Sequence, residues 1–417
     1  MWRLIFMINY FLLPLCLLAV GLFLLIKLRF FFILHPIRTM REIGEEIRDR
    51  ESRRSLMLAL AGTLGVGNIF GVSAGILIGG AGSVFWIFIS SFFSMAIKYA
   101  ETLLAYDSCE SKGGTGETVR RIFPRWGRVL SLIYAILTVA LALFMGGAMQ
   151  SSALVDAAYS GLGLMPAISI FILIVLLIPC LMFGVRKIEK ITEIIIPMTT
   201  IIYIIMCFAV IFCNLHKLSD TFLRIFYSAF SFKGAVGGII PVALSEGFSR
   251  GILSNEGGIG SSATAHLRGG ERTPHRAGLF GILEVFFDTT LLCTLTGIAI
   301  LVSVGNLAIY DSPMALVSAA FCSALGGWSG YLLTLLILSF AYATIGCWYF
   351  YGRLNSELYL PRMPFGILFL IFMILPVVMK TNLLISLVDI IIFLMALITL
   401  SAIIKGTKRI LALSLEG

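Results

Sequence analysis

The sequence predicts an all-α membrane protein that crosses the bilayer many times. Of its 417 residues, 59% are hydrophobic and only 13% are charged, and the mean hydropathy is +1.01. A protein surrounded by water needs more surface charge than this, so soluble classes are excluded. Apolar runs of about 20 residues or more indicate helices, because lipid offers the backbone no hydrogen-bond partners.

Eleven apolar segments follow one another along the chain. They cover residues 4–26, 56–80, 83–106, 128–156, 164–184, 192–213, 222–262, 277–304, 329–352, 364–380 and 382–404. The first is predicted to be an uncleaved anchor helix, since its positive charges follow the apolar run and no cleavage site is visible. We therefore expect an anchor helix with a basic cytoplasmic loop over 1–55, followed by five-helix units over 56–215 and 216–417.

The positive charges predict the orientation in the membrane. If the first loop lies inside the cell, 26 of the 31 Lys and Arg residues, Arg250 among them, fall on the inner side. The positive-inside rule then places the N-terminus outside and the C-terminus in the cytoplasm. The residues left outside are Arg3, Lys217, Arg224, Lys233 and Lys380. We expect a multi-pass protein of the bacterial plasma (inner) membrane, and no nucleic-acid partner, because the basic residues form no aromatic-interleaved patch.

The sequence gives no support to metal or enzyme chemistry. The eight cysteines show no CxxC pairing, and the four histidines lie in loops or at loop edges, so disulfide frameworks and metal sites are not expected. No HExxH, no GxSxG and no nucleophile beside a recognisable base is present. We expect neither enzymatic activity nor a cofactor.

The second apolar segment contains many glycines, which weaken a helix. Those from position 67 to position 79 repeat every four residues, the small-xxx-small pattern of a packing seam between membrane helices. Gly65, Gly67 and Asn68 are a separate feature, because they loosen the helix near the middle of the span, where lipid cannot satisfy freed backbone groups. Something polar, either neighbouring protein or a cargo, is expected there.

The seventh segment, 222–262, is too long for one plain crossing, and it contains Gly234, Gly237 and Gly238 followed by Pro241. Its "AVGGIIP" at 235–241 is similar to "GVGNIFG" at 65–71. Two five-helix units have opposite orientations because five is odd, so the two breaks would occupy corresponding places in an inverted repeat. Interrupted helices at such places indicate the midplane site of a secondary transporter. A chance match in a glycine-rich chain is the alternative.

Six stretches carry a resemblance to a known family: GTLGVGNIFGV at 62–72, GGAGSVFWIF at 79–88, MQSSA at 149–153, SRGILSNEGGIGSSATAH at 249–266, VFFDT at 285–289 and FAYATIGCWYFYG at 340–352. Together they resemble the alanine or glycine:sodium symporter family, bacterial carriers of the leucine-transporter-type inverted-repeat fold. The resemblance implies ten core helices after an extra N-terminal one, and sodium-driven import of a small amino acid. The chain departs from the family pattern at Ala81, Ser152 and Ala343, where proline, asparagine and serine are usual.

The broken second segment predicts where a zwitterion would bind. Its outer half-helix would direct the free N–H groups of Val66 and Gly67, at the positive end of the helix dipole, towards a substrate carboxylate. Asn68 would either cap this half-helix or reach the site.

Main-chain carbonyls are predicted to complete the same site. The inner half-helix would end near Ala61 to Leu64 with unpaired carbonyls, and the second break would present others at Gly234, Gly237 and Gly238. Hard oxygen ligands of this kind suit a sodium ion or an ammonium group.

Two side chains are predicted to close the site. The resemblance makes Gln150 the polar partner of the substrate, and the alternative is that it only bonds across helices. Thr344 lies in the ninth segment, which in the implied fold passes beside the broken helix and completes a sodium site. The alternative for Thr344 is a bond to the carbonyl four residues earlier in its own helix.

Ionisable residues inside apolar segments are rare and usually functional. Glu284 and Asp288 are four residues apart on one predicted helix face, which keeps a proton relay open. Lys98 and Glu101 are predicted to form a local ion pair. The stretch SNEGGIGSS at 254–262 is predicted to be an inner gate or helix end, with structural packing as the alternative.

Three functional classes compete on this evidence. The broken helices favour a secondary carrier over a channel, and the missing catalytic constellations disfavour an intramembrane enzyme. The resemblance implies that this carrier is a sodium-coupled symporter for alanine or glycine. Proton coupling, or carriage of another small zwitterion, is the alternative. The expected partners are a small neutral amino acid, the coupling sodium ion and membrane lipid, and we expect a monomer.

Overall fold

The computed structural model describes residues 12–108, 114–183, 185–231, 242–267, 273–357, 362–375 and 381–415. Helices account for all the regular secondary structure in these ranges, and no β-strand occurs in them. The all-α class predicted from the hydropathy is therefore confirmed.

The helices of the first half are α1 (Leu13–Lys27), α2 (Phe31–Leu34), α3 (Pro36–Glu46), α4 (Arg50–Thr63), α5 (Gly67–Gly79), α6 (Gly82–Ser108), α7 (Gly114–Ile122), α8 (Gly127–Leu162), α9 (Pro166–Phe183) and α10 (Val185–Cys213). Those of the second half, after a 3₁₀ turn at Leu215–Lys217, are α11 (Leu218–Ala229), α12 (Val242–Asn255), α13 (Ala263–His266), α14 (Pro274–Ser303), α15 (Pro313–Leu325), α16 (Trp328–Ser356), α17 (Arg362–Ile374) and α18 (Thr381–Leu415). Three stretches within them are π-helical: Gly67–Gly71, Ala142–Met149 and Phe286–Cys293.

In the described part of the chain, 6 helices are long and apolar enough to cross a membrane on their own: α6, α8, α10, α14, α16 and α18. The bent pair α4 and α5 together makes a further candidate crossing. Four shorter apolar helices, α1, α9, α15 and α17, accompany them. The protein is therefore polytopic, and the count of eleven crossings remains a prediction.

Local sequence signals begin two of these helices. The Thr273 hydroxyl accepts a hydrogen bond from the amide of Arg276 (3.3 Å), and the Ser312 hydroxyl accepts one from the amide of Ala315 (3.2 Å). In both cases a proline follows the capping residue, where its missing N–H breaks no helical hydrogen bond. Helices α14 and α15 therefore start where the sequence places a cap.

Helix α6 lies at the centre of the molecule and packs along α14 and α12. A Cβ added at Gly281 would lie 2.9 Å from the Lys98 carbonyl oxygen, and one added at Gly247 would lie 2.9 Å from the Ser83 carbonyl oxygen. Glycine is needed at both positions because the backbones approach this closely. Polar groups on α6, α12 and α14 are thereby brought within hydrogen-bond distance of one another.

The predicted glycine seam on α5 packs against α12 over part of its length. A Cβ added at Gly75 would lie 3.1 Å from Arg250 Cγ, and one at Gly79 would lie 3.0 Å from Glu246 Cβ. The same addition at Gly71 meets nothing within 4 Å. The packing interpretation is therefore confirmed for Gly75 and Gly79 but not for Gly71. These contacts also show that α5 and α12 run antiparallel.

The first predicted helix break is present. Helices α4 and α5 meet at an angle of 46°, and residues 64–66 join them. The bend lies where Gly65 and Gly67 weaken the helix, so the local sequence is sufficient to predict it.

A second break faces the first, at residues 256–262. Helix α12 ends at Asn255, and Glu256, Gly258 and Gly260 follow with φ values of 55°, 91° and 74°. Helix α13 then packs against α4. Residues 234–238, where the sequence predicts the second break, lie outside the described residues. A left-handed backbone, rather than glycine content alone, marks the position of the break that the structure describes.

Arg250 does not lie where the charge pattern predicts. Its Nε contacts Glu246 Oε2 at 2.9 Å, and its side chain borders a cavity that is also lined by residues 307–314. The charge pattern places that connection outside, so the predicted inner position of Arg250 is wrong. The reason is that α12 has not yet reached the second break at this residue. Because Arg250 is a single residue, the large excess of Lys and Arg on the predicted inner side remains.

Candidate substrate and ion site

Backbone groups are freed where α4 gives way to α5. Helix α4 ends at Thr63, and Leu64 leaves helical geometry with ψ 74°. In a continuing helix the N–H of Gly65 would bond the carbonyl of Ala61. It donates instead to the Thr63 carbonyl (2.8 Å) and to Asn68 Oδ1 (3.2 Å). The Ala61 carbonyl therefore loses its usual donor in the interior of the protein.

Gln150 on α8 contacts this break directly. Its Oε1 accepts a hydrogen bond from the N–H of Val66 at 3.3 Å, and its side chain is buried. It directly follows the π-helical stretch Ala142–Met149, a distortion that is frequent at functional sites. Gln150 thus bonds across helices, as the alternative interpretation held. Its partner is the same amide that is predicted to face a substrate carboxylate, so its role in substrate binding remains a prediction.

Thr344 on α16 contacts the other side of the break. Its Oγ1 donates to the carbonyl of Leu64 at 3.3 Å, and the residue is buried. This bond joins α16 to the broken helix, as the position predicted for Thr344 requires, and differs from the alternative of a bond within α16. That Thr344 completes a sodium site remains a prediction. Ala343 beside it is also buried and supplies no side-chain oxygen. The Leu64 carbonyl and the Thr344 hydroxyl are the kind of hard oxygen ligands that alkali cations prefer.

A buried carboxylate lies next to the same break. Asp288 is fully buried, and it accepts hydrogen bonds from Asn68 Nδ2 (2.6 Å), Ser254 Oγ (2.6 Å) and Thr289 Oγ1 (2.7 Å). No Lys, Arg or His among the described residues lies within ion-pair distance of it. A buried carboxylate without a cationic partner either carries a proton or neutralises a bound cation.

Asn68 has a more specific role than the sequence indicates. Its Oδ1 accepts from Gly65 inside the break, while its Nδ2 donates to Asp288 on α14. It therefore closes the break rather than capping the start of α5, and it links the break to the buried carboxyl group of Asp288.

A second polar cluster lies further along α6 and α14. Lys98 Nζ contacts Glu284 Oε1 at 3.2 Å, with side chains 1% and 0% exposed, and it donates to the Asn255 carbonyl at 2.9 Å. Glu284 Oε2 also lies 2.7 Å from His266 Nε2. The predicted pairing of Lys98 with Glu101 is therefore wrong. Close packing of α6 on α14 brings Glu284 nearer to Lys98 than the next turn of its own helix does.

Side chains from neighbouring elements hold the second break in place. Thr115 Oγ1 on α7 donates to the Gly260 carbonyl at 2.7 Å, and the Tyr134 hydroxyl on α8 donates to the Ile259 carbonyl at 2.9 Å. The stretch 254–262 is thus a helix end stabilised by packing and hydrogen bonds. Its service as a gate remains a prediction.

A cavity of about 750 Å³ lies beside α5, the helix that begins at the first break. It is lined by Phe70 on α5, Asp156 on α8 and Arg250 on α12, together with the connection that precedes α15. Phe70 is the lining residue of α5 nearest in sequence to Asn68. A cavity of this size accommodates a small organic molecule.

Most of the predicted site residues meet at one place. Around the first break the structure brings together Ala61, Leu64, Val66, Gly67, Asn68, Gln150 and Thr344. Gly234, Gly237 and Gly238 lie outside the described residues. Sequence reasoning did not assign Asp288 and Ser254 to this site. Two features of the sequence could have pointed to them: Asp288 is an acidic residue inside an apolar segment, and Ser254 is a serine just before a glycine-rich break.

Two helix breaks, with backbone groups met at the first by polar side chains from other helices, lie inside a bundle of membrane-spanning helices of the leucine-transporter fold. The crystal structure of MhsT in complex with L-phenylalanine has the same fold, with a TM-score of 0.65 and 15% sequence identity over 88% of this chain and 92% of that chain. At this identity the likeness concerns the fold alone.

The sequence pattern of the sodium:alanine symporter family matches residues 4–413, and the chain belongs to this family. The sodium/alanine symporter AgcS of Methanococcus maripaludis is 32% identical over 355 residues, which are 81% of this chain and 78% of that protein. The probable sodium/glutamine symporter GlnT of Bacillus subtilis is 29% identical over 354 residues, 81% of this chain and 73% of that protein. The protein is therefore a transporter rather than an enzyme, and its class is amino acid symport.

Proposed function

We propose that this protein is a sodium-coupled symporter that imports a small neutral amino acid, alanine or glycine, by alternating access. The observation that carries the proposal is the break between α4 and α5. There the amide of Val66 and the carbonyl of Leu64 are met by Gln150 and Thr344 from two other helices. Backbone groups held in this way can exchange a side-chain partner for a substrate carboxylate or an ion.

The substrate carboxylate would bind at the start of α5. The N–H groups of Val66 and Gly67 lie at the positive end of the helix dipole, which favours an anion. Gln150 would release the Val66 amide and turn its own amide group towards the substrate. A Cβ added at Gly65 would lie within 3.3 Å of Gln150 Nε2, so this corner favours a small cargo. A relative named for glutamine keeps another small zwitterion as the alternative.

The sodium ion would bind between α4 and α16. The carbonyls of Ala61 and Leu64 and the hydroxyl of Thr344 would supply its protein ligands. Thr344 now donates its proton to the Leu64 carbonyl, so binding of a cation requires the hydroxyl to rotate until both oxygens face the ion. No organic cofactor is part of this mechanism.

Sodium entry supplies enough free energy for accumulation. One cation that enters down a membrane potential of ~100 mV, inside negative, releases about 2.3 kcal/mol, and a tenfold gradient adds about 1.4 kcal/mol. Their sum corresponds to accumulation of a net-neutral amino acid on the order of 500-fold. Because a zwitterionic amino acid carries no net charge, the membrane voltage acts only on the sodium ion that accompanies it.

Proton coupling is the second candidate, and Asp288 favours it. This buried carboxylate contacts Asn68 at the break and has no cationic partner among the described residues. A proton on Asp288 would neutralise it without any bound metal ion.

Uptake into proteoliposomes separates the candidates. Radiolabelled alanine or glycine would be supplied with a sodium gradient at equal pH, and in parallel with a pH gradient in the absence of sodium. The proposal requires accumulation above the external concentration in the first arm alone. Accumulation in the second arm would establish the proton candidate, and equilibration without accumulation in both arms would indicate a channel. Protein-free liposomes give the background.

We further propose that the protein is a monomer in the bacterial plasma (inner) membrane, with its N-terminus outside and its C-terminus in the cytoplasm. Residues 56–215 and 216–417 would form the two inverted repeats after the anchor region 1–55. The antiparallel packing of α5 on α12, with Gly75 beside Arg250 and Gly79 beside Glu246, supports this division. Corresponding helices of two inverted repeats are expected to run in opposite directions.

A further inference from the structure

A second cavity, of about 430 Å³, lies where α1 ends. The connection from α1 to α3, the start of α14 and the end of α18 line it. None of its lining residues belongs to the proposed substrate site. The apolar part of its lining consists of Leu28, Phe31 and Leu411. The basic part consists of Lys27, Arg29 and Arg38. Helix α1 is apolar up to its last residue, Lys27, so the cavity lies at the level where the hydrocarbon meets water.

The charges of this cavity do not cancel. Arg38 donates to Glu42 at 2.8 Å, and His275 lies 3.3 Å from the same carboxylate. Burial alone would raise the pKa of Glu42, but the hydrogen bonds with Arg38 and His275 lower it below its ordinary value, so Glu42 is an anion that offsets Arg38. Among the described residues, no carboxylate lies within ion-pair distance of Lys27 or Arg29. Lys27 Nζ lies over the Phe23 ring, 5.8 Å from its centroid, a contact that does not neutralise its charge. Two positive charges therefore line the cavity without a carboxylate partner among the described residues.

The backbone at this place is strained. Arg29 and Phe30 have φ values of 55° and 52°, a left-handed conformation that is costly for every residue with a side chain except at special sites. The N–H of Phe30 bonds the carbonyl of Leu25 at 2.9 Å, which closes α1 in a way that commonly employs glycine. Phe30 packs against the core and Arg29 lines the cavity. Strained residues that persist in this manner are concentrated at ligand-binding sites.

We propose that this cavity binds the phosphodiester headgroup of an anionic glycerophospholipid. Lys27 and Arg29 contact the phosphate, and an acyl chain lies along Leu28, Phe31 and Leu411. The interfacial position and the basic lining match what anionic headgroups require. The apolar half of the lining favours a lipid over a free anion, because inorganic phosphate would leave that surface uncovered. The site does not depend on which ion or amino acid the protein transports.

Arg29→Gly is the sharpest test, because it removes a charge and also relieves the left-handed strain. The purified full-length protein in neutral detergent is titrated with phosphatidylglycerol, and the thermal unfolding midpoint reports binding. We expect the variant to bind phosphatidylglycerol about fivefold more weakly, which corresponds to ~1 kcal/mol for one basic residue. Its midpoint without lipid is expected to equal or exceed that of the unmodified protein, since glycine adopts this conformation freely. Unchanged phosphatidylglycerol affinity in Arg29→Gly would refute the assignment.

Three further arms decide what is bound. Arg48→Ala removes an exposed charge outside the cavity and is expected to leave phosphatidylglycerol affinity unchanged. An equal loss in this control would mean diffuse attraction rather than a site. Phosphatidylcholine is expected to give less stabilisation, and equal stabilisation would exclude recognition of charge. Inorganic phosphate is expected to have little effect, and if it reproduced the full shift the cavity would be a simple anion site and the lipid proposal would fail.

Discussion

Gly65 is the position where one added methyl group tests the proposed ion site. A Cβ at Gly65 would lie 2.9 Å from Thr344 Oγ1, 3.2 Å from Thr344 Cγ2 and 3.3 Å from Gln150 Nε2. Cβ contacts under 3.0 Å essentially never occur, so in Gly65→Ala the Thr344 side chain has to move. Because the same Oγ1 atom contacts the Leu64 carbonyl at 3.3 Å, we expect this contact to lengthen or break. The substitution therefore separates two of the oxygens proposed to bind sodium.

The size of the effect follows from this geometry. Ordinary van der Waals contact begins at 3.4 Å, so the Thr344 hydroxyl has to retreat by about 0.5 Å from its 2.9 Å contact. Overpacking of a tight interior costs about 1–3 kcal/mol. If the ion-bound state is destabilised by this amount, the sodium concentration for half-maximal uptake rises roughly 5- to 150-fold. We expect about tenfold, or ~1.4 kcal/mol, because Thr344 has a short side chain that can partly yield.

Sodium titration of alanine uptake into proteoliposomes measures this rise. Gly71→Ala is the matched control, since it makes the same change six residues further along, on α5, where an added Cβ meets nothing within 4 Å. It is expected to leave sodium half-saturation unchanged. Thermal unfolding midpoints show whether both variants are folded. If folded Gly65→Ala had the sodium half-saturation of the unmodified protein, the ion would not bind between Leu64 and Thr344.

Three other variants test neighbouring parts of the site. Gln150→Ala is expected to raise the amino acid concentration for half-maximal uptake by about 10- to 100-fold, the value of a hydrogen bond to a charged group; an equal loss of protein abundance would reject a substrate role. Thr344→Val keeps the shape but removes the hydroxyl, and is expected to raise sodium half-saturation about tenfold while Thr344→Ser stays near the unmodified value; equal titrations for Val and Ser would contradict this. Lys98→Met removes the lysine partner of buried Glu284, which keeps its contact with His266. It is expected to destabilise the protein by about 3–5 kcal/mol, as measured by denaturation, with partial recovery on addition of Glu284→Gln. A Lys98→Met protein as stable as the unmodified one would show that the pair is dispensable.

Local sequence was enough to predict the first break. Gly65 and Gly67 weaken the helix where they stand, and the apolar surroundings require a polar partner for whatever backbone is freed. Both effects act within a few residues. Gln150 and Thr344 are different, because nothing near them in the sequence shows which helix they face. Resemblance to a family was needed to connect them with the break.

The second break shows where local patterns fail. The glycines at 234–238 and those at 257–260 are equally able to loosen a helix. In the described part of the chain, the left-handed backbone at Glu256, Gly258 and Gly260 and the contact of α12 with α5 place a break at the second of these stretches. Thr115 and Tyr134, more than a hundred residues away in sequence, hold it there. Such partners cannot be read from glycine content.

The sequence by itself determined the solvent, the helical class and the presence of an interrupted crossing, because hydropathy and glycine act through short-range chemistry that needs no neighbours. Only the tertiary structure decided which polar groups meet. It directed Lys98 to Glu284 instead of Glu101 and placed Asp288 beside Asn68, because side-chain partners depend on how closely α6, α12 and α14 approach one another. That approach is set by the packing of whole helices.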